Sequence, residues 1–387
     1  MSLKILHINF NDSGGAAVAS MDLHEELLRQ GIHSRYLCLN LTKKHSADRH
    51  YYTHRRIYTS FFRKLWHLYI KAAWVNCKYR NMETQIPEPN DAITLPYSSF
   101  DVTLDPLYKE ADIIHLHWTG RFLDWPSFFR KNRKPIVWTL HDRNPFSGIL
   151  HCAADFPSAG EVLNTKIALK KACWLKKQRI WVVGPSEQYT EFSLKSNVLG
   201  QFPHCTIHHG IPEFYFHPVD RYKCKEKHDL PHDRKIVLSV ASDLKRKLKG
   251  FSDLIDFAKT RSELFFLFIG KKDPTAPDLS NVRYTGSIED RSVLNELYNS
   301  ADLTISNSKE ESFGLTIAES LMAGTPVSGR KIGLLRSLSD SQCFQELENI
   351  PMINVKRKTE SCTEIGRSHF DLIIQTKKYL TLYASVK

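Results

Sequence analysis

The chain has 387 residues, 42% hydrophobic and 25% charged, with a net charge of +12. That length exceeds one ordinary core and predicts two domains; the composition excludes a disordered chain, and no run of about 18 apolar residues marks a membrane-spanning helix. Eight cysteines, at 38, 77, 152, 173, 205, 224, 343 and 362, form no CxxC pair. They predict free thiols in a reducing compartment, with no metal site and no disulfide framework.

In chain order, the opening MSLKILHINF lacks a secretory pattern, and its apolar run KILHIN (4–9) reads as a buried strand. A small-residue loop, NDSGG, leads into AAVASMDLHEELLRQG, whose apolar spacing predicts a helix stopped at Gly31. SRYLCLN is the next strand. Residues 43–80 then carry ten Lys or Arg against one acid, Asp48, interleaved with nine aromatics. Three readings fit this segment: a nucleic-acid patch, a membrane-surface helix inserting Phe61, Phe62, Trp66, Tyr69 and Trp74, or a basic helix packed on its aromatic side. Short apolar runs follow: ADIIHLHW (111–118), PIVWTLHD (135–142), WVVGPS (181–186) and CTIHHG (205–210).

The stretch 211–235 is rich in proline and charge and has no period; residues 216–234 read as a linker. A second series of strands begins at KIVLSVAS (235–242) and continues with LFFLFIG (264–270), NVRYTGS (281–287), DLTISNS (302–308) and TPVSG (325–329). Alternation of apolar strands with amphipathic helices predicts an α/β protein of two Rossmann-like domains, with parallel sheets facing across a cleft. The expected boundaries are 1–215 and 235–365, with 366–387 a final helix placed to pack back on the first domain.

The most informative stretch is KEESFGLTIAESLMAGTPV (309–327), in which Glu311 and Glu319 are separated by seven residues. DLTISNS ends as a strand and LTIAESLMAG has helical spacing closed by Gly324, so Gly314, Leu315 and Thr316 form the first turn of a helix. The unpaired N–H groups and positive dipole end of such a turn suit a phosphate. Glu319, about one turn further in, is placed to accept hydrogen bonds from a vicinal diol such as a ribose. Two acids that only stabilise the helix dipole would show the same spacing.

This stretch resembles the E-x7-E segment of retaining glycosyltransferases of family 4, which have the GT-B fold. The pieces around it resemble the family in the same order. KILHINFNDSGGAAVASMDLHEELLRQG looks like the opening strand, Gly-rich loop and first helix, and ADIIHLHW and TLHDRNPFSGILHC are similar to a sub-group that builds bacterial surface polysaccharides. The run from Val182 to Pro218 follows the last strands of the first domain, with His209 where asparagine is usual. The resemblance spans roughly residues 4–330. It implies a nucleotide-diphospho-sugar donor, UDP- or GDP-linked, with no further cofactor and no metal. Glu319 would bind the ribose and Glu311 the sugar hydroxyls, while the amides of Gly314, Leu315 and Thr316 would face the phosphates. Gly15 would let backbone approach the same diphosphate.

ASDLKRKLKGFSDL (241–254) matches the family's basic loop on the diphosphate, with Lys249 the first candidate and Arg246 or Lys247 a second cation. Ser242 or Asp243 stands where the family has an arginine, and Arg336 stands near an expected acid. The resemblance places His141 at the donor sugar. His115 and His117 share one face of a strand, but no third metal ligand is evident. The implied activity is transfer of a hexose to a lipid-linked saccharide at the cytoplasmic membrane's inner face, with the anionic surface met by 43–80 and no nucleic-acid partner. A sugar-nucleotide epimerase or hydrolase of the same fold, or a non-catalytic binding scaffold, would show the same motifs.

Overall fold

The structure is a computed structural model that describes residues 3–42, 49–86, 93–154, 156–346 and 359–387. Two compact units are formed: Met1–Ile207 with Thr376–Lys387, and His208–Gln375.

The first unit holds the strands β1 (Lys4–Asn11), β2 (His33–Asn40), β3 (Tyr51–Thr53), β4 (Ile113–Leu116), β5 (Ile136–Thr139), β6 (Ile180–Gly184) and β7 (His204–Thr206). They pair in the order β3-β2-β1-β4-β5-β6-β7, all parallel. A parallel sheet is covered on both faces, so its strands are apolar on both sides. Leu6, Ile8, Ile114, Leu116, Ile136 and Trp138 line one buried face. Ile5, Ile113 and Val137 line the other, with Leu23 and Leu27 of the helix Gly15–Arg29 and Tyr379 and Tyr383 of the helix Leu372–Val386. His7 pairs in register with His115 on this second face.

The second unit holds β8 (Lys235–Asp243), β9 (Leu264–Lys271), β10 (Val282–Gly286), β11 (Leu303–Ser306), β12 (Val327–Gly329) and β13 (Phe344–Glu346). Their order is β10-β9-β8-β11-β12-β13, again all parallel. Each sheet reverses direction of growth once, between β1 and β4 and between β8 and β11. Loops at the carboxyl ends of strands flanking such a reversal are the ordinary place for a ligand.

The strands read from sequence are present within a residue or two at most ends, and two edge strands of three residues, β3 and β13, are added. The boundary between units falls at Ile207, before the expected 215, and residues 366–375 belong to the second unit. Within 216–234 the chain forms a helix, Arg221–Lys227, capped by Asp220, whose side chain accepts from the N–H groups of Tyr222 and Lys223. All eight cysteines are free thiols.

Of the basic aromatic segment, residues 43–48 lie outside the described residues. From Phe61 to Gln85 the chain is helical, with a π-helical stretch at Trp66–Lys71. Val75 and Met82 seat its second half on Leu95, Tyr97 and Ile167. The first half is not packed on its rings: Phe62 is 80% exposed, and Phe61, Trp66, Tyr69, Ile70 and Trp74 are also exposed. Among the described residues no helix is long and apolar enough to cross a membrane.

Candidate active site

In the second unit, two loops meet at the carboxyl edge of the sheet. The first follows β8. Leu244 and Leu248 are buried and anchor it, while Lys247–Lys249 form a single 3₁₀ turn. The second follows β11. Asn307 donates its amide N–H to the Gly250 carbonyl (2.8 Å), and the Lys309 N–H donates to the Leu248 carbonyl (2.8 Å). Gly250 has φ +63°, and a Cβ there would lie 2.5 Å from the Asn307 carbonyl oxygen, so both the turn and the approach require glycine.

This stitching brings Lys249 to Glu311. The ammonium donates to Glu311 Oε1 at 2.5 Å, and each side chain is 22% exposed. A half-buried pair of this kind keeps each charge compensated while leaving both reachable. Arg246 and Lys247 are exposed on the same turn, and Ser242 is exposed at the end of β8. Asp243 accepts from the Lys245 N–H (2.9 Å) and so shapes the loop.

Gly314 caps the helix Leu315–Met322 with φ +109°, which only glycine adopts readily. Leu315 and Thr316 follow as its first residues, whose N–H groups have no partner within the helix. The Phe313 carbonyl, beside them, accepts from the Leu334 N–H at 2.7 Å, and the His209 ring packs edge-on against Phe313 at 5.2 Å. Glu319 is buried, and its Oε2 accepts from the Tyr298 hydroxyl at 2.9 Å. Burial first, and then the Glu319 charge, hold the Tyr298 phenol well above its usual range, so it stays a neutral donor. Arg336 is exposed on the short helix Leu334–Ser337.

In the first unit, Gly15 is the exposed first residue of the helix Gly15–Arg29, and the left-handed conformation falls on Gly14 (φ +84°). His141 follows β5. Its Nε2 meets His117 Nδ1 at 3.1 Å, and His117 Nε2 meets His7 Nδ1 at 2.9 Å. Burial pushes the His141 imidazolium down to about 4, against the pull of Asp142. His7 and His115 are also held well below the usual range, by burial and then by neighbouring histidines. All three rings are therefore neutral near pH 7.

Asp142 is tied on every side. Oδ2 accepts from the Trp118 indole N–H (2.6 Å) and from His151 Nδ1 (2.5 Å), and Oδ1 accepts from the Asn144 N–H (2.9 Å). Burial would raise its carboxyl, but His151 and these donors outweigh it and hold it below the usual range. His151 Nε2 meets the Thr94 hydroxyl at 2.6 Å. Lys171, buried beneath, donates to the Asn144 carbonyl at 2.6 Å and stands 4.4 Å over the Trp125 ring. Burial lowers its ammonium to about 7, opposed by Asp142.

Sequence reading missed His7, Tyr298 and Lys171. Nitrogens of His7, His115 and His117 lie within 4.8 Å of one another, so the third histidine absent from the local motif comes from β1. The ring nitrogens of His115 and His117 are already committed, however. His115 Nδ1 meets the Tyr383 hydroxyl (2.6 Å) and its Nε2 meets Thr139 (2.7 Å), while both nitrogens of His117 meet other histidines. The cluster is a hydrogen-bond network, and a cation would have to break it. The register of β1 with β4 was the signal that could have placed His7.

A family model described as "Glycosyl transferases group 1" matches residues 220–338. A D-inositol 3-phosphate glycosyltransferase from Streptosporangium roseum is 25% identical over 250 residues, which are 58% of this chain and 55% of that protein, so the match spans about half the relative's length. A sucrose-phosphate synthase from Thermosynechococcus elongatus superposes with a TM-score of 0.71 at 17% identity, covering 99% of each chain. Anabaena HepE in complex with UDP-glucose superposes with a TM-score of 0.67 at 15% identity, covering 99% of this chain and all of that one. The two parallel α/β units of this chain have the fold of the GT-B glycosyltransferases, and residues 220–338 are similar to the group 1 glycosyl transferases.

Proposed function

We propose that this chain transfers a hexose from a nucleotide-diphospho-sugar, with retention, to a lipid-linked saccharide of a bacterial surface polysaccharide. The observation that carries the donor site is the meeting of Lys249 and Glu311 beside the glycine-capped turn at Gly314. A diphosphate would take the Lys249 ammonium and the N–H groups of Leu315 and Thr316, and the sugar hydroxyls would take Glu311. The pair thus exchanges one internal bond for two bonds to opposite ends of the donor. Glu319, held in place by Tyr298, is set to accept from the ribose. Binding of UDP-glucose by Anabaena HepE supports a uridine donor.

In the step proposed, the bond from the anomeric carbon to the diphosphate breaks, and the acceptor oxygen bonds to that carbon on the same face. The acceptor's proton passes to the leaving phosphate oxygen. Lys249, with Arg246 as the second cation, would offset the charge that grows on that oxygen. A thermal-shift panel of UDP- and GDP-sugars tests the donor, because a ligand bound only by the folded state raises the melting temperature. The expected ligand stabilises the wild type, and Glu319→Ala weakens its binding by roughly 1–3 kcal/mol. No shift with any nucleotide sugar would remove the reading, and turnover of donor without acceptor would favour an epimerase or hydrolase.

The acceptor side of the proposal rests on the exposed rings of Phe61, Phe62, Trp66, Tyr69 and Trp74, with Arg55, Arg56, Arg63 and Lys64 around them. Cations near an anionic surface contribute about 1 kcal/mol each, and aromatic rings suit the headgroup boundary. Replacing those four cations by Glu is expected to weaken binding to phosphatidylglycerol vesicles by about 10³-fold. Equal partitioning of variant and wild type would exclude a membrane role for this segment.

A further inference from the structure

Where the basic aromatic segment ends, the helix Ala72–Gln85 and a second helix, Glu161–Leu175, wall a groove of about 290 Å³ in the first unit. Met82, Leu95, Tyr97 and Ile167 are buried at its floor, and Leu163 packs against them. Along one helix Lys78, Met82 and Gln85 line it at i, i+4 and i+7. Along the other, Leu163, Lys166, Ile167 and Lys170 line it at i, i+3, i+4 and i+7. This spacing keeps each set on one helix face. The buried members are apolar and the exposed ones include three lysines, so the groove has an apolar floor and a cationic rim.

The charge of that rim is one-sided. Glu83 and Glu161 are the acids of the two helices, and among the described residues that line the groove there is no acid. Among the described residues Lys166 and Lys170 make no ion pair or side-chain hydrogen bond, and Lys78 only stands 5.4 Å over the Trp74 ring. The floor is also joined to the exposed rings. Trp74 is exposed and packs edge-on against Tyr97 at 5.1 Å, and it lies on the same helical run as Phe61, Phe62, Trp66 and Tyr69. A matching ligand carries an apolar chain and an anionic head together. A bare hydrocarbon would leave the cations unmet, and a small anion would leave the floor in water.

We propose that this groove seats the isoprenoid chain of the acceptor's lipid carrier, with the carrier's phosphate held by Lys78, Lys166 and Lys170. The assignment rests on the lipid-linked acceptor proposed above and adds where its lipid is gripped. A carrier with one chain suits one groove, whereas a phospholipid leaves its second chain without a seat. Trp74 stands where such a chain passes from the membrane-facing rings to Tyr97.

Calorimetric titration of the full chain with farnesyl phosphate, below its micelle concentration and without detergent or vesicles, tests the assignment. The wild type is expected to bind it about tenfold or more tightly than farnesol, inorganic phosphate or dihexanoyl phosphatidylglycerol. Lys78→Ala, Lys166→Ala and Lys170→Ala together are expected to weaken binding about 10²-fold. Ala159→Trp, which fills the groove from an exposed lining position and keeps the cations, is expected to weaken it by about tenfold. Absence of binding by the wild type overturns the proposal, as does an affinity unchanged in either variant. Equal binding of dihexanoyl phosphatidylglycerol would show a general seat for anionic lipid and overturn the isoprenoid assignment. The substituted residues are all exposed, and the wild-type comparison of ligands decides by itself if a variant fails to fold. Neither nucleotide sugar nor vesicle is present, so failure here is separate from failure of donor binding or of vesicle binding.

Discussion

The carboxyl edges of the two sheets are built from opposite materials. In the first unit the residues at the reversal between β1 and β4 include neutral rings and hydroxyls: His7, His115, Thr139 and Tyr383. In the second unit the loops at the reversal between β8 and β11 carry the Lys249–Glu311 pair and glycines at positive φ. A neutral network is directional and costs little to bury when every partner is met. A half-buried ion pair is poised to be exchanged for a charged ligand. One edge is therefore suited to orient a group and the other to hold an anion.

Lys249→Ala gives the largest test of that contrast. If the second edge holds the diphosphate, loss of the ammonium lowers kcat/KM by about 10²–10³-fold. A change below threefold in a transfer assay would show that another cation, such as Arg246, carries the leaving group, and Lys249→Ala with Arg246→Ala would locate it.

His115→Ala probes the other edge and reads out as stability. The substitution removes the ring between Tyr383 and Thr139, leaves both hydroxyls short of a partner and opens a cavity. Together these cost about 2–4 kcal/mol. All seven tryptophans, at 66, 74, 118, 125, 138, 174 and 181, lie in the first unit, so fluorescence during urea unfolding follows that unit alone. An unmoved fluorescence midpoint would mean that the histidine core does not support the fold.

The long strands were legible because parallel strands are continuous apolar runs, and β1, β8 and β9 declare themselves in sequence. The edge strands β3 and β13 have three residues each, too few for a period. The helix Arg221–Lys227 was hidden by its charge, although Asp220 is an ordinary capping signal. At the candidate site, Gly314 and the start of its helix followed from local spacing alone. The Lys249–Glu311 contact did not, because it depends on Asn307 joining two loops. Likewise Glu319 is legible as a helical acid, but its Tyr298 partner lies on a neighbouring helix. Local chemistry is written locally, whereas partners are set by strand order and register.

Acid separates the two edges by a smaller effect. A histidine kept neutral in the fold takes up its proton more readily when unfolded, so the unfolded state binds more protons between the two pKa values. For His141 that window runs from the ordinary 6.5 down to about 4. Its contribution is complete above the window and is lost as pH falls through it, amounting to about 3 kcal/mol at most. His7 and His115 are lowered by burial in the same sense and deepen the loss. Asp101 and Asp142, held below their ordinary 3.8, release their contributions only in stronger acid and leave this window to the histidines. The tryptophan-detected urea midpoint is therefore expected to fall steadily between pH 6.5 and 4. His141→Asn should flatten part of that slope, and a midpoint constant across the window would show that these rings take up protons in the fold as readily as in the unfolded chain.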